Sequence, residues 1–323
     1  MFGGWGNRDE AECRRMVDTA LDAGVNFIDT ADEYAFGDSE EIVGRAIRGR
    51  RDRIVLATKF HHQMGEGPNR SGNSRRWIMI AVEDSLRRLG TDYIDLYQVH
   101  RPDPTTDIDE TLGALSDLIR HGKVRAIGTS AFPAEQLVEA QWASERRGRE
   151  RFATEQPAYS IFARHAEAAV FPVAERFGLG VIVWSPLNGG WLTGKYRRGA
   201  PPPEDSRAVN HPDYFDFGDA AIAERKLDLV ERLAELATDA GLTLVQLGLG
   251  FALSHRAVTA AIIGPRTHQQ LESQLPAAGI RLETDVLDRI DALVPPGTTL
   301  NPDDVGWSPP ALTDSRLRRR AGR

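Results

Sequence analysis

The sequence predicts an α/β fold, a (β/α)8 barrel of the TIM type. Three observations point there. From residue 25 onward, short apolar runs of strand type alternate with amphipathic helical stretches, and strict alternation means parallel strands joined by helical crossovers. The runs are almost continuously apolar, as strands covered on both faces must be. Three of them lead directly into a residue able to do chemistry: Asp29, Lys59 and His100. A parallel barrel gathers the carboxyl ends of its strands on one face, so residues far apart in sequence can share a pocket.

The strand candidates are 25–29, 53–59, 93–99, 124–129, 152–156, 180–185 and 259–263. Helical patterns lie near 9–23, 38–49, 74–89, 108–121, 134–148, 166–177, 222–239 and 243–254, and a further helix opens at 267–275. Gly24, Gly90, Gly122 and Gly178 follow helical runs, as left-handed C-terminal caps would. Asp107 and Ser39 stand at N-cap positions. Seven strand–helix units favour a barrel over an open doubly wound sheet. The eighth strand would have to precede the helix at 9–23, where only residues 1–6 are available; it is either very short or only partly included. An insertion at 199–219 carries Pro201-Pro202-Pro203 and Tyr214-Phe215-Asp216-Phe217. A loop of this length in a compact domain reads as a lid or binding loop. Residues 1–311 are expected to form a single domain. Residues 312–323, with Arg316, Arg318, Arg319 and Arg320, read as a flexible basic tail.

Composition narrows the classes. Of 323 residues, 41% are hydrophobic and 27% charged, ordinary for a soluble globular chain. The formal charge of −7 speaks against a general nucleic-acid binder. Cys13 is the single cysteine, so an internal disulfide is impossible, which fits a reducing cytoplasm. No apolar run approaches the length of a membrane span, and the N-terminus lacks the basic start and apolar centre of a signal peptide. Oligomeric state is not legible.

Tyr34 follows Asp29 by five residues, on the loop leaving that strand. A phenol has a free pKa of about 10, and a neighbouring ammonium favours the phenolate. Lys59 can supply that charge, Asp29 can hold Lys59 protonated, and His100 can hydrogen-bond a substrate oxygen or Tyr34. Tyr34 could then protonate an oxygen gaining negative charge, as carbonyl reduction requires. His61 and His62 adjoin on a loop without the carboxylate pattern of a metal site, so no metal is expected. Gly189-Gly190-Trp191-Leu192-Thr193-Gly194-Lys195-Tyr196 nearly spells a P-loop, but Tyr196 stands where a magnesium-binding Ser or Thr belongs.

The segments Phe27-Ile28-Asp29-Thr30-Ala31-Asp32-Glu33-Tyr34, Ala57-Thr58-Lys59 and Gln98-Val99-His100-Arg101-Pro102-Asp103 resemble the signature segments of the aldo-keto reductases, and the likeness runs from Phe2 to about residue 310. The resemblance implies a (β/α)8 barrel that reduces aldehydes and ketones with a nicotinamide cofactor, usually NADPH. It puts Asp29, Tyr34, Lys59 and His100 in the places of the family's catalytic tetrad, with Tyr34 as proton donor. It also implies a cofactor site at the later strand ends: Ser130, Gln156, Ser185, Pro186 and Leu187, with Lys195 on the pyrophosphate. No Gly-x-Gly-x-x-Gly fingerprint follows any strand, so the Rossmann mode of binding is not expected.

Gly264 and Arg266 open the last helix, where loops of such barrels commonly bind phosphate and a helix N-terminus favours anions. Arg266 could clamp a 2′-phosphate, favouring NADPH over NADH. Gln270 and Gln274 complete the expected cofactor set. The chain departs from the family pattern at Ala131, where Asn is common, and at Ser273-Gln274, where a Glu-Asn pair is common. The family's N-terminal hairpin and most of its first strand are also expected to be missing, as though the natural protein began upstream. A second reading stays open. Potassium-channel β subunits resemble these enzymes, but they carry Asn-Arg-Pro-Asp where this chain has His100-Arg101-Pro102-Asp103, and His100 favours an enzyme.

Overall fold

A computed structural model describes residues 2–4, 6–210 and 219–320. Seven parallel strands pair in chain order: β1 (Phe27–Asp29), β2 (Val55–Phe60), β3 (Ile94–Val99), β4 (Val124–Ser130), β5 (Thr154–Gln156), β6 (Gly180–Val183) and β7 (Val258–Ala261). The connecting helices are α1 (Glu10–Asp22), α2 (Asp38–Ile47), α3 (Arg75–Leu89), α4 (Ile108–Arg120), α5 (Ala134–Arg147), α6 (Val170–Phe177), one turn α7 (Arg207–Asn210), α8 (Ala220–Asp239) and α9 (Leu244–Ser254). They are followed by α10 (His268–Gln274), α11 (Thr284–Leu293) and a last turn α12 (Pro310–Thr313). No single helix among the described residues is long and apolar enough to cross a membrane.

The sheet is curled rather than flat. Neighbouring strands stand roughly 4.8 Å apart, so β1 and β5 would be separated by roughly 19 Å in a flat sheet. Yet the Gln156 Nε2 at the end of β5 donates to Asp29 Oδ2 at the end of β1 over 2.9 Å. The two edges also approach each other through their helices. Thr19 Oγ1 on α1 lies 2.8 Å from His268 Nε2 on α10, and Asn7 Nδ2 donates to the Arg266 carbonyl at 2.9 Å. Among the described residues no strand precedes α1; Phe2 and Asn7 form only an isolated bridge.

Register then sorts the interior into layers, because side chains repeat every two residues along a strand. The pairings Phe27↔Val55, Asp29↔Ala57, Ala57↔Leu96, Lys59↔Gln98, Leu96↔Ala126 and Gln98↔Gly128 set the rows. Ala57, Leu96 and Ile182 pack with Phe27, Ala126 and Ile262 as one apolar cluster. Two residues further along four of these strands come Asp29, Lys59, Gln98 and Gly128. A polar layer therefore sits directly on an apolar one at the carboxyl end of the sheet. Gly128 is required there: a Cβ would lie 2.1 Å from Thr154 Oγ1.

The predicted strands differ from the observed ones by a few residues at their ends, and Gly24, Gly90, Gly122 and Gly178 all adopt positive φ, between 63° and 85°. Asp107 caps α4 through the Asp109 amide. Ser39 is not an N-cap. Gly37, at φ 100°, turns the chain into α2, and the buried Ser39 sits within its first turn, 3.0 Å from Thr30 Oγ1. The helix α11 lay beyond the elements read from sequence. Within the insertion, Ser206 is buried and α7 follows it; Tyr214-Phe215-Asp216-Phe217 lie outside the described residues.

Candidate active site

The polar layer brings Asp29, Tyr34, Lys59 and His100 together. Lys59, fully buried, donates from Nζ to Asp29 Oδ1, to the Thr30 carbonyl at 2.8 Å and to Tyr34 Oη at 3.4 Å. Asp29 Oδ2 accepts from Gln98 Nε2 at 3.1 Å and from Gln156 Nε2 at 2.9 Å, and Gln156 also donates to Gln98 Oε1 at 3.1 Å. Gln98 was not singled out from sequence. Its signal was its place two residues before His100, on the face its neighbours in register share. Tyr34 reaches the site because the chain turns sharply after β1: Ala35 and Phe36 both take φ near +50°. Its ring meets His100 edge-on, with centroids 5.6 Å apart.

The electrostatics differ from the sequence expectation in one respect. Burial pushes the Tyr34 phenol above its ordinary pKa; Lys59 works in the opposite direction without overcoming it. The phenol therefore keeps its proton through neutral pH. Burial pulls Lys59 down, but Asp29 and then Tyr34 outweigh it, and the ammonium is held above its usual value. His100 falls well below the ordinary imidazole range through burial, with Lys59 and Arg101 adding repulsion. It is a neutral imidazole. His62 is pulled down to about 3, by burial first and then by His61. The sequence showed no carboxylate beside this histidine pair, but Glu33 supplies one, with Oε2 3.2 Å from His62 Nδ1.

The expected cofactor residues line the other side of the same strand ends. Ser130 and Gln156 are buried, and Ser130 Oγ donates to the Gln156 carbonyl at 2.9 Å. Ser185 takes φ 57° and its Oγ accepts from the Gly189 amide at 3.2 Å. Pro186 and Leu187 continue that turn, and Leu187 packs close to Gly248 of α9. Lys195 is half-buried; burial lowers its pKa first, followed by repulsion from Arg266 and Arg207. Arg207, in the insertion, was missed from sequence, since a lone arginine in a Pro-rich loop carries no pattern. It too is lowered by burial and by Arg266. Three cations gather here beside one carboxylate, Asp205 next to Arg266, an excess of positive charge that suits a cofactor carrying phosphates.

The N-terminus of α10 holds side-chain partners the sequence did not show. Its first backbone donors are already occupied: His268 N donates to Glu12 Oε1 at 3.0 Å and Gln270 N to Thr267 Oγ1 at 3.2 Å. Gln270 itself accepts from the Arg266 amide at 2.8 Å. Gly264 is exposed in the preceding loop, while Gln274 is buried with its side-chain oxygen lacking a hydrogen bond among the described residues.

The profile of the Aldo/keto reductase family matches residues 1–295 of this chain. The chain belongs to the aldo/keto reductase family. It is 36% identical over 303 residues to a probable voltage-gated potassium channel subunit beta of Oryza sativa subsp. japonica, covering 91% of this chain and 92% of that protein. It is 36% identical over 311 residues to the uncharacterized oxidoreductase YrpG of Bacillus subtilis (strain 168), covering 93% and 92%. It is also 36% identical over 284 residues to the aldo-keto reductase YhdN of the same organism, covering 87% and 83%. Its curled parallel sheet suits this family's fold, and its relatives include both oxidoreductases and channel subunits.

Proposed function

We propose that this chain is an NADPH-dependent carbonyl reductase, with Tyr34 as proton donor and Asp29, Lys59 and His100 completing its catalytic group. Its domain would be a (β/α)8 barrel over residues 1–311, followed by a basic tail, and its setting the cytoplasm. The observation that carries the reading is the contact of one buried ammonium with both a carboxylate and a phenol, in a family of oxidoreductases.

The reduced nicotinamide, when bound, supplies a hydride to the carbonyl carbon. Ser130 and Gln156 would orient its carboxamide, Ser185, Pro186 and Leu187 would support its phosphates, and Lys195, Arg207 and Arg266 would balance their charge. Gly264, Gln270 and Gln274 would border the adenosine end. As the carbonyl oxygen gains charge, Tyr34 transfers its proton to it, and Lys59 stabilises the phenolate left behind. The neutral His100 donates a hydrogen bond to the same oxygen. A phenol that holds its proton at neutral pH is ready for this role, because the nascent alkoxide is a far stronger base.

Oxidation of NADPH in the presence of a nitrobenzaldehyde tests the proposal. Tyr34→Phe should lower turnover by about 10²–10⁴-fold; turnover equal to the parent's would overturn it. The channel-subunit relatives support a second reading, a cofactor-sensing regulatory subunit. In that case the parent would itself turn over no faster than Tyr34→Phe while still binding NADPH.

A further inference from the structure

We propose that Glu33, His62 and His100 form a binding site for a divalent transition-metal cation, zinc foremost. The three residues leave the ends of β1, β2 and β3, so the strand order alone makes them neighbours. One candidate ligand atom from each lies within 4.8 Å of the others. Glu33 Oε2 is 3.2 Å from His62 Nδ1, and Glu33 Oε1 is 3.5 Å from His100 Nδ1. In a tetrahedral zinc site with bonds of roughly 2.0–2.1 Å, adjacent ligand atoms stand about 3.3 Å apart. Each imidazole thus stands at about that spacing from one oxygen of the shared carboxylate.

The hydrogen bonding points the same way. His100 Nδ1 is buried and makes no hydrogen bond among the described residues, and neither does the buried His62 Nε2. Leaving a buried polar nitrogen unsatisfied is costly, and a cation between His100 and Glu33 would satisfy one of them. Two imidazoles and one carboxylate are a ligand set that zinc accepts. The nearest opposing charge on the same layer, Lys59, is already neutralised by Asp29; Arg101 is the repulsive neighbour that would hold affinity down.

The site has a consequence that rests on the proposed reductase activity. A cation on His100 Nδ1 would sit against the imidazole that the substrate oxygen is to meet, beside the Tyr34 ring, so zinc and carbonyl substrate would crowd one pocket and compete.

The test uses the full chain, freed of metal by chelator dialysis, without cofactor or substrate. Zinc chloride is titrated against a chromogenic indicator, and cobalt(II) chloride is followed by its visible absorption. The parent should bind one zinc per chain. His62→Ala and Glu33→Gln should each weaken binding at least about tenfold, since loss even of an outer partner of a metal ligand typically costs about 10–100-fold. His121→Ala, at an exposed histidine remote in sequence from the three, should leave affinity unchanged. Circular dichroism melts identify any variant that fails to fold; the other variant then decides. No zinc on the parent, or parent-like affinity in a folded His62→Ala or Glu33→Gln, overturns the site. Because this arm needs no turnover, it stands apart from the reductase reading. In the activity arm, zinc should raise the KM for carbonyl in the parent, and zinc that binds without doing so removes the competition.

Discussion

The carboxyl ends of β1–β3 and the loops after β6 and β7 both crowd charged groups, yet in opposite ways. Lys59 has its counterpart: Asp29 takes its ammonium, and Gln98 and Gln156 satisfy the second carboxylate oxygen. Around Lys195, Arg207 and Arg266 like charges meet; burial first, and then this repulsion, pulls Lys195 and Arg207 below their ordinary pKa, while Arg266 faces Asp205. The first arrangement is complete in itself and holds a reacting geometry. The second carries an excess of cations, which on the proposed function would favour an anionic ligand. On the proposed function, the reacting side is preorganised and the binding side is primed.

The largest expected effect comes from breaking the balanced side. Lys59→Met removes the cation that most strongly opposes the upward push of burial on Tyr34, so the phenolate becomes harder to form. Turnover should fall by about 10³-fold or more, while NADPH affinity, measured by quenching of protein fluorescence, stays within a few-fold. Asp29 would also lose its counter-charge, and breaking a buried pair typically costs about 3–5 kcal/mol, so the melting temperature should drop. Turnover within tenfold of the parent's would remove Lys59 from the chemistry.

Much of this contrast was legible before any coordinates, but unevenly. The strand ends holding Asp29, Lys59 and His100 could be read because apolar runs mark parallel strands and register places their ends together. Gln98 was hidden by its own neighbours, since within an apolar strand nothing distinguishes an inward Gln from a misplaced polar residue until pairing is known. Arg207 was hidden by its loop, whose path no periodicity predicts. The partner of the first amide of α10 was hidden for a third reason: Glu12, which accepts from it, lies 256 residues away in sequence. Ser39 was misplaced because Gly37, with a left-handed φ that only the backbone reveals, starts α2 earlier.

Glu155 sharpens the comparison from the same strand. It adjoins Gln156 but faces away from the pocket, fully buried, held by Thr129 and the Phe132 amide at 3.1 Å. No ammonium pairs with it as Lys59 pairs with Asp29, and burial pushes its carboxyl up to about 8. Between the ordinary value of 4.5 and about 8, the unfolded chain has released this proton and the folded chain retains it. Glu155 therefore costs stability progressively as pH rises through that window, and the loss levels off above it. Glu155→Gln keeps the shape without the charge. Urea unfolding should find it near the parent at pH 4.5 and more stable by a few kcal/mol at pH 8. Parallel stability profiles for the two proteins would show that Glu155 has a counter-charge after all.

The smallest effect tests the primed side. Arg266 lies 3.6 Å from Asp205, an exposed partner that a phosphate could displace at little cost, since exposed pairs are worth about 0–1 kcal/mol. A charged hydrogen bond to phosphate is worth about 1.5–3 kcal/mol, so Arg266→Ala should weaken NADPH about 10–100-fold. NADH, lacking the 2′-phosphate, should change no more than about threefold. The variant should also lose part of the salt dependence of NADPH binding, because one partly exposed cation no longer contributes. Equal losses for both cofactors would move Arg266 from the 2′-phosphate to the pyrophosphate, and the preference for NADPH would then need another source within the same cluster.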